Sequence, residues 1–177
     1  MILGAWLLHS IRLAAALGMA LLAMQAPAVT REYQAALLQL VRSSDKEIAE
    51  RKASAERFYN IPTENDDRFL ARLRAVEPSN AETLAAALER GHSLRESFNR
   101  IDSAPEVLRP IVAAEDVAGD ETGSRRQIAR TVFDSFAPQL DLSFAAAIYG
   151  LVGLFLGSLI GELVATAFRS RRHGLVE

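Results

Sequence analysis

Apolar residues fill the two ends of the chain in long runs and recur at helical spacing between them. Residues 143–168, SFAAAIYGLVGLFLGSLIGELVATAF, carry a single carboxylate, Glu162. The run exceeds the roughly 20 residues that a bilayer core requires, so it reads as a transmembrane helix. Arg169-Ser170-Arg171-Arg172-His173 follows directly, a basic stop suited to a cytoplasmic headgroup region. The first 29 residues are also apolar, but Arg12 splits them. In one reading, residues 13–29 form an uncleaved anchor and residues 1–11 lie along the interface with Trp6 among the headgroups. In the other, the segment is a secretory signal ending in Ala26-Pro27-Ala28.

Between the ends the period is that of a helix. Tyr33, Leu37, Leu40, Val41, Ile48, Ala55 and Phe58 are spaced mostly by three, four or seven, with Thr30 as a capping residue and Asn60-Ile61-Pro62 as the stop. This predicts an amphipathic helix roughly 43 Å long. A short helix over residues 66–76 carries Phe69, Leu70 and Leu73. A longer one, after Pro78, carries Leu84, Leu88, Leu94, Phe98 and Ile101. Residues 104–114 form a short apolar segment interrupted by Pro105 and Pro110, residues 115–123 read as an acidic loop, and a last helix begins at Ser124 with Ile128, Val132 and Phe136 on one face. No stretch alternates with period two. The prediction is therefore all-α: two transmembrane helices flanking an antiparallel helical hairpin or small bundle. Its domains would be an anchor at 1–29, a helical extracytoplasmic domain at 30–142, a transmembrane helix at 143–168 and a basic cytoplasmic tail at 169–177.

Within the second apolar run, Gly153, Gly157 and Gly161 recur every fourth residue and Ala165 follows, so all four share one narrow helix face. Small residues at that spacing let two helix backbones approach closely, which is how helices associate where lipid supplies no hydrophobic drive. The partner is either the first apolar helix or the same helix of another copy. Glu162 lies close to the basic tail, where Arg169 or water would satisfy it, and intramembrane carboxylates are also a place to look for ion handling.

Charge sharpens the division. All but four of the 20 Lys and Arg, and all but two of the 22 Asp and Glu, lie within residues 30–142, leaving a mildly acidic middle and nearly uncharged ends. No basic stripe exists for nucleic acid to bind. The short basic ends favour the cytoplasm, which leaves the middle outside it. Cysteine is absent, and His9, His92 and His173 share no ligand spacing, so no metal or thiol chemistry is expected. Glu64, Asp66, Asp67, Glu115, Asp116, Asp120 and Glu121 lack the order of a calcium loop and read as solubilising or capping charges. Neither a nucleophile elbow nor a phosphate-cradling glycine loop occurs. No catalytic, cofactor-binding or metal residues are assigned, and an enzyme is not expected.

Three motifs carry a resemblance: Gln25-Ala26-Pro27 running into Tyr33-Gln34, Phe69-Leu70-Ala71-Arg72, and Phe136-Ala137-Pro138-Gln139-Leu140 ahead of the glycine-rich helix. Through them the chain resembles a family of uncharacterised bacterial inner-membrane proteins, domain of unknown function 2937. It departs from that pattern in a longer N-terminus before Arg12 and in lacking a tryptophan after the membrane glycines. The resemblance implies the two-anchor architecture and a bacterial inner membrane, and brings no activity with it. Two classes of function follow. One is a non-enzymatic scaffold or accessory protein whose partners are the bilayer and another copy or a second membrane protein. The other is a small transport or sensing component that uses Glu162 or the acidic loops.

Overall fold

The computed structural model describes residues 2–62, 65–138 and 143–173, with the side chains of 2–5, 7, 8 and 167–173 outside that description. The side chains of the basic tail and Glu64 therefore fall outside it. Among the described residues the fold is all-helical: α1 (Ile2–Met24), α2 (Ala26–Tyr59), α3 (Asp66–Val76), α4 (Pro78–Ser103), α5 (Arg109–Ala118), α6 (Ser124–Ser135) and α7 (Phe144–His173).

Local chemistry sets most of these boundaries. α1 runs unbroken through Arg12, so residues 2–11 are part of the helix and not a separate interfacial segment. It stops at Gln25 because Pro27 has no N–H with which to continue the ladder, and proline is well tolerated in the first turn of the helix that follows. α2 consequently starts at Ala26, four residues before the expected cap. Thr30 lies inside the helix, its hydroxyl donating back to the Ala26 carbonyl at 2.8 Å. α2 ends where Asn60 turns left-handed at φ 54° and donates its N–H to Glu56 O at 2.8 Å. Asparagine tolerates that conformation better than other chiral residues, and Pro62 bars further helix. Asn65 caps α3 by accepting from the Arg68 N–H at 3.2 Å, with Asp66 and Asp67 in the first turn where the helix dipole favours them. α5 is the principal departure from the sequence reading. Half of the expected acidic loop is helical, and Pro110 sits in the first turn of that helix instead of breaking it.

The chain divides into two compact units. One comprises residues 1–31, 105–111 and 133–177, and its framework is the long contact of α1 with α7. The outer faces of this pair stay uncovered: Leu22 is 70% exposed and Phe155 75%. The other unit comprises residues 32–104 and 112–132. There α2 and α4 run antiparallel, since Arg51 meets Thr83 at 3.3 Å while Asp45 meets Arg95 at 2.5 Å. One apolar cluster joins Ile48 and Ala55 to Phe69, Leu73, Ala81 and Leu84. A second joins Tyr33 and Leu37 to Ile101 and Ala113, with Phe98 and Ile128 packed against it.

Candidate functional site

The glycine face of α7 is filled by α1. A methyl placed on Gly150 would lie 2.8 Å from Met24 Cγ, and one on Gly157 would lie 2.5 Å from Ala15 O and 2.7 Å from Ala16 Cα. On Gly153 it would collide with Met19 O and Ala23, and on Gly161 it would lie 3.0 Å from Arg12 Cα. Position numbers fall along α1 as they rise along α7, so the two helices are antiparallel and in backbone contact. Ala165 continues the same face and is buried. Of the two partners the sequence allowed, the described residues present the first helix. α1 has no GxxxG of its own, and meets the glycines with Ala15, Ala16, Ala20 and Ala23, whose methyl groups are the smallest side chains that keep a helix stable.

Glu162 adjoins the seam and is reached by Arg12, whose Nη2 lies 2.5 Å from Oε2. Arg169 is not needed to explain it. Arg12 Nε is buried and has no hydrogen-bond partner among the described residues. By the 1.5 Å rise of a helix, Glu162 lies about 9 Å before Phe168, the last apolar residue ahead of Arg169. The pair therefore links the middle of α1 to the last third of the apolar run of α7 and fixes their register, because a slip of one turn would strand both charges.

In the other unit the helices assemble a polar cluster around Asp116. This carboxylate is fully buried on α5. It accepts from Tyr33 Oη at 2.9 Å, from the Arg125 guanidinium at 3.0 Å and from Arg100. Burial, then the hydrogen bond to Asp116 and the charge of that carboxylate, push the Tyr33 phenol well above its ordinary range. Asp120, also buried, accepts from the Thr122 hydroxyl at 2.8 Å and from the backbone N–H groups of Arg125, Arg126 and Thr122 at 2.8, 3.1 and 3.1 Å. Burial alone would raise the Asp120 carboxyl. The Thr122 hydroxyl and the three N–H groups outweigh it and hold the pKa at about 2. Asp116 is thus a correction to the sequence reading: it is a buried network member and not a solubilising charge. Asp120 does cap, though it does so from within the core. The available signal was the spacing Asp116-x-x-x-Asp120, which places both carboxylates on the same side of α5 and its extension.

Beside this network lies an open groove of about 1040 Å³ lined by Leu40 of α2, Leu94 of α4 and Ile128 and Val132 of α6, together with Arg125. Every acceptor of the Asp116–Asp120 network is already engaged by protein groups, so the arrangement has the chemistry of a structural lock. His9 and His92 are exposed. Among the described residues no three His, Cys, Asp or Glu side chains gather in a way that could hold a metal ion.

An all-helical chain with two helices long and apolar enough to cross a membrane is the class that this geometry defines. The chain belongs to the family described as Protein of unknown function (DUF2937), whose model matches residues 7–174. Neither a curated protein nor a solved structure matches the sequence.

Proposed function

We propose that this protein is a non-enzymatic accessory or scaffold protein of the bacterial inner membrane, anchored by α1 and α7 as an antiparallel spanning pair. Its helical domain lies outside the cytoplasm and meets another membrane protein or another copy, while both chain ends face the cytoplasm. One observation carries this reading. The glycine face is consumed within the pair, while the described leucines and phenylalanines on the outer faces of the same two helices, Leu22 and Phe155 among them, stay exposed. A soluble helical pair would leave an apolar patch far larger than monomeric proteins tolerate, whereas lipid tails satisfy it at no cost. The stretch Phe144–Thr166 of α7, 23 residues, would span roughly 34 Å, enough for a bilayer core of about 30 Å. The pairing of Glu162 with Arg12 supports a structural role for that carboxylate over ion transport.

Reporter fusions after residues 142 and 177, read together with the mass of the membrane-extracted chain, test this. The expected result is a full-length chain, resistant to alkaline extraction, with an external middle and an internal tail. A cytoplasmic middle overturns the orientation, and release into the soluble fraction overturns the anchoring.

A further inference from the structure

The turn between α4 and α5, together with the first residues of α5, has an arrangement that the anchoring role does not require. Tyr149, on the second turn of α7, donates its phenol to the backbone carbonyl of Val107 at 2.9 Å. Pro105–Ile111 groups with the terminal helices accordingly. Its own backbone is tightly turned, Pro105 O accepting from Leu108 N at 2.8 Å and from Arg109 N at 3.1 Å. Ile111 N donates to Leu108 O at 3.0 Å, and this three-residue spacing places the two side chains on one side of the turn. Both are left in the open, Leu108 at 47% and Ile111 at 49% exposure. A turn that is tied to α7 by a part-buried tyrosine hydrogen bond, and that leaves two large aliphatic side chains outward at the start of α5, offers them to an apolar receiver.

The level of that hydrogen bond identifies the receiver. Side chains on a helix lean toward its N-terminus, so the Tyr149 hydroxyl reaches back toward the start of the apolar stretch at Phe144. Phe144 is itself 75% exposed there. Tyrosine at such a level has its ring among acyl chains and its hydroxyl among headgroups, and irregular backbone is permitted at that depth when its polar groups are paired. We infer that Pro105–Ile111 is a lipid-contacting segment, held at the mouth of α7 by Tyr149, which seats Leu108 and Ile111 in the outer headgroup and acyl boundary of the bilayer. It would then be a third contact with the membrane, made by the middle of the chain. The inference rests on the proposed membrane insertion of α7.

The test uses the full chain in phosphatidylethanolamine–phosphatidylglycerol vesicles doped with a lipid nitroxide placed near the headgroup. Trp6 is first replaced by Phe, and single tryptophans are then introduced as Leu108→Trp, Ile111→Trp, Leu156→Trp and Val76→Trp. Quenching at Leu108→Trp and Ile111→Trp is expected to be several-fold above that at Val76→Trp. If both stay as unquenched as Val76→Trp while Leu156→Trp responds to a nitroxide deep in the acyl chains, this segment does not touch lipid although α7 spans. If Leu156→Trp also fails to respond, the membrane reading itself falls, and this inference with it. Having two probes in the segment guards against a fold disturbed by one of them.

Discussion

Asp120 stands four residues ahead of α6 and serves as its cap at a distance, with Oδ2 taking the N–H groups of Arg125 and Arg126. Its folded pKa of about 2 lies below the ordinary 3.8, so near those values the unfolded chain binds more protons than the folded one. The contribution to stability is whole above about pH 4 and is lost as pH falls from there through about 2. Asp120→Ala should cost about 1–2 kcal/mol near neutrality, the range for a lost helix cap. The gap from the parent should narrow on acidification, as read from thermal unfolding in detergent by circular dichroism. Parallel curves down to the acid limit would mean that the carboxylate does not titrate as argued. Arg12 and Glu162 invite a different measurement. A lone carboxylate can take up a proton, whereas a lone guanidinium cannot lose one, so Glu162→Gln should destabilise more than Arg12→Gln. Its upper limit is about 2.5–3.5 kcal/mol, the cost of one unpaired charge well inside a bilayer. The double substitution should recover part of the loss. Simple additivity across the cycle would show that the two groups do not interact.

At the level of the helices, Gly157 and Gly18 separate packing from propensity. Both are glycines within apolar helices, yet a methyl on Gly18 meets nothing within 4 Å while one on Gly157 meets the backbone of α1. Gly18→Ala should be neutral or stabilise by up to about 1 kcal/mol. Gly157→Ala should destabilise by about 1–3 kcal/mol through overpacking, since the obstructing atoms are main chain and cannot turn aside. Equal melting temperatures for the two variants would remove the seam. The sequence displayed the seam through the fourfold spacing of Gly153, Gly157 and Gly161, but gave no sign of the receiving face, because alanines in an apolar run carry no pattern. α3 was legible to the residue through the spacing of Phe69, Leu70 and Leu73 and the Pro78 that follows it. α5 was not, since prolines at 105 and 110 and the acidic run after them mimic a loop, and the burial of Asp116 depends on Tyr33, 83 residues away. What was missed is what tertiary partners decide.

For the whole molecule, the occupied seam bears on how copies could meet. Had the glycine face been open, self-association through α7 would be the simplest expectation, and Gly157→Ile would convert a dimer to a monomer. With α1 lying against Gly153, Gly157 and Gly161, the same substitution should instead loosen the chain internally. Its melting temperature falls, and its sedimentation state in detergent stays that of the parent. Any association between copies then has to use another surface, such as the outer faces of the pair or the groove lined by Leu40, Leu94, Ile128 and Val132. Loss of a dimer at wild-type thermal stability would require that α7 meet a second copy, and would make the contact with α1 a minor state. Each outcome moves the measurement that the other leaves unchanged, so a single variant discriminates a self-contained anchor from one that is completed only by assembly.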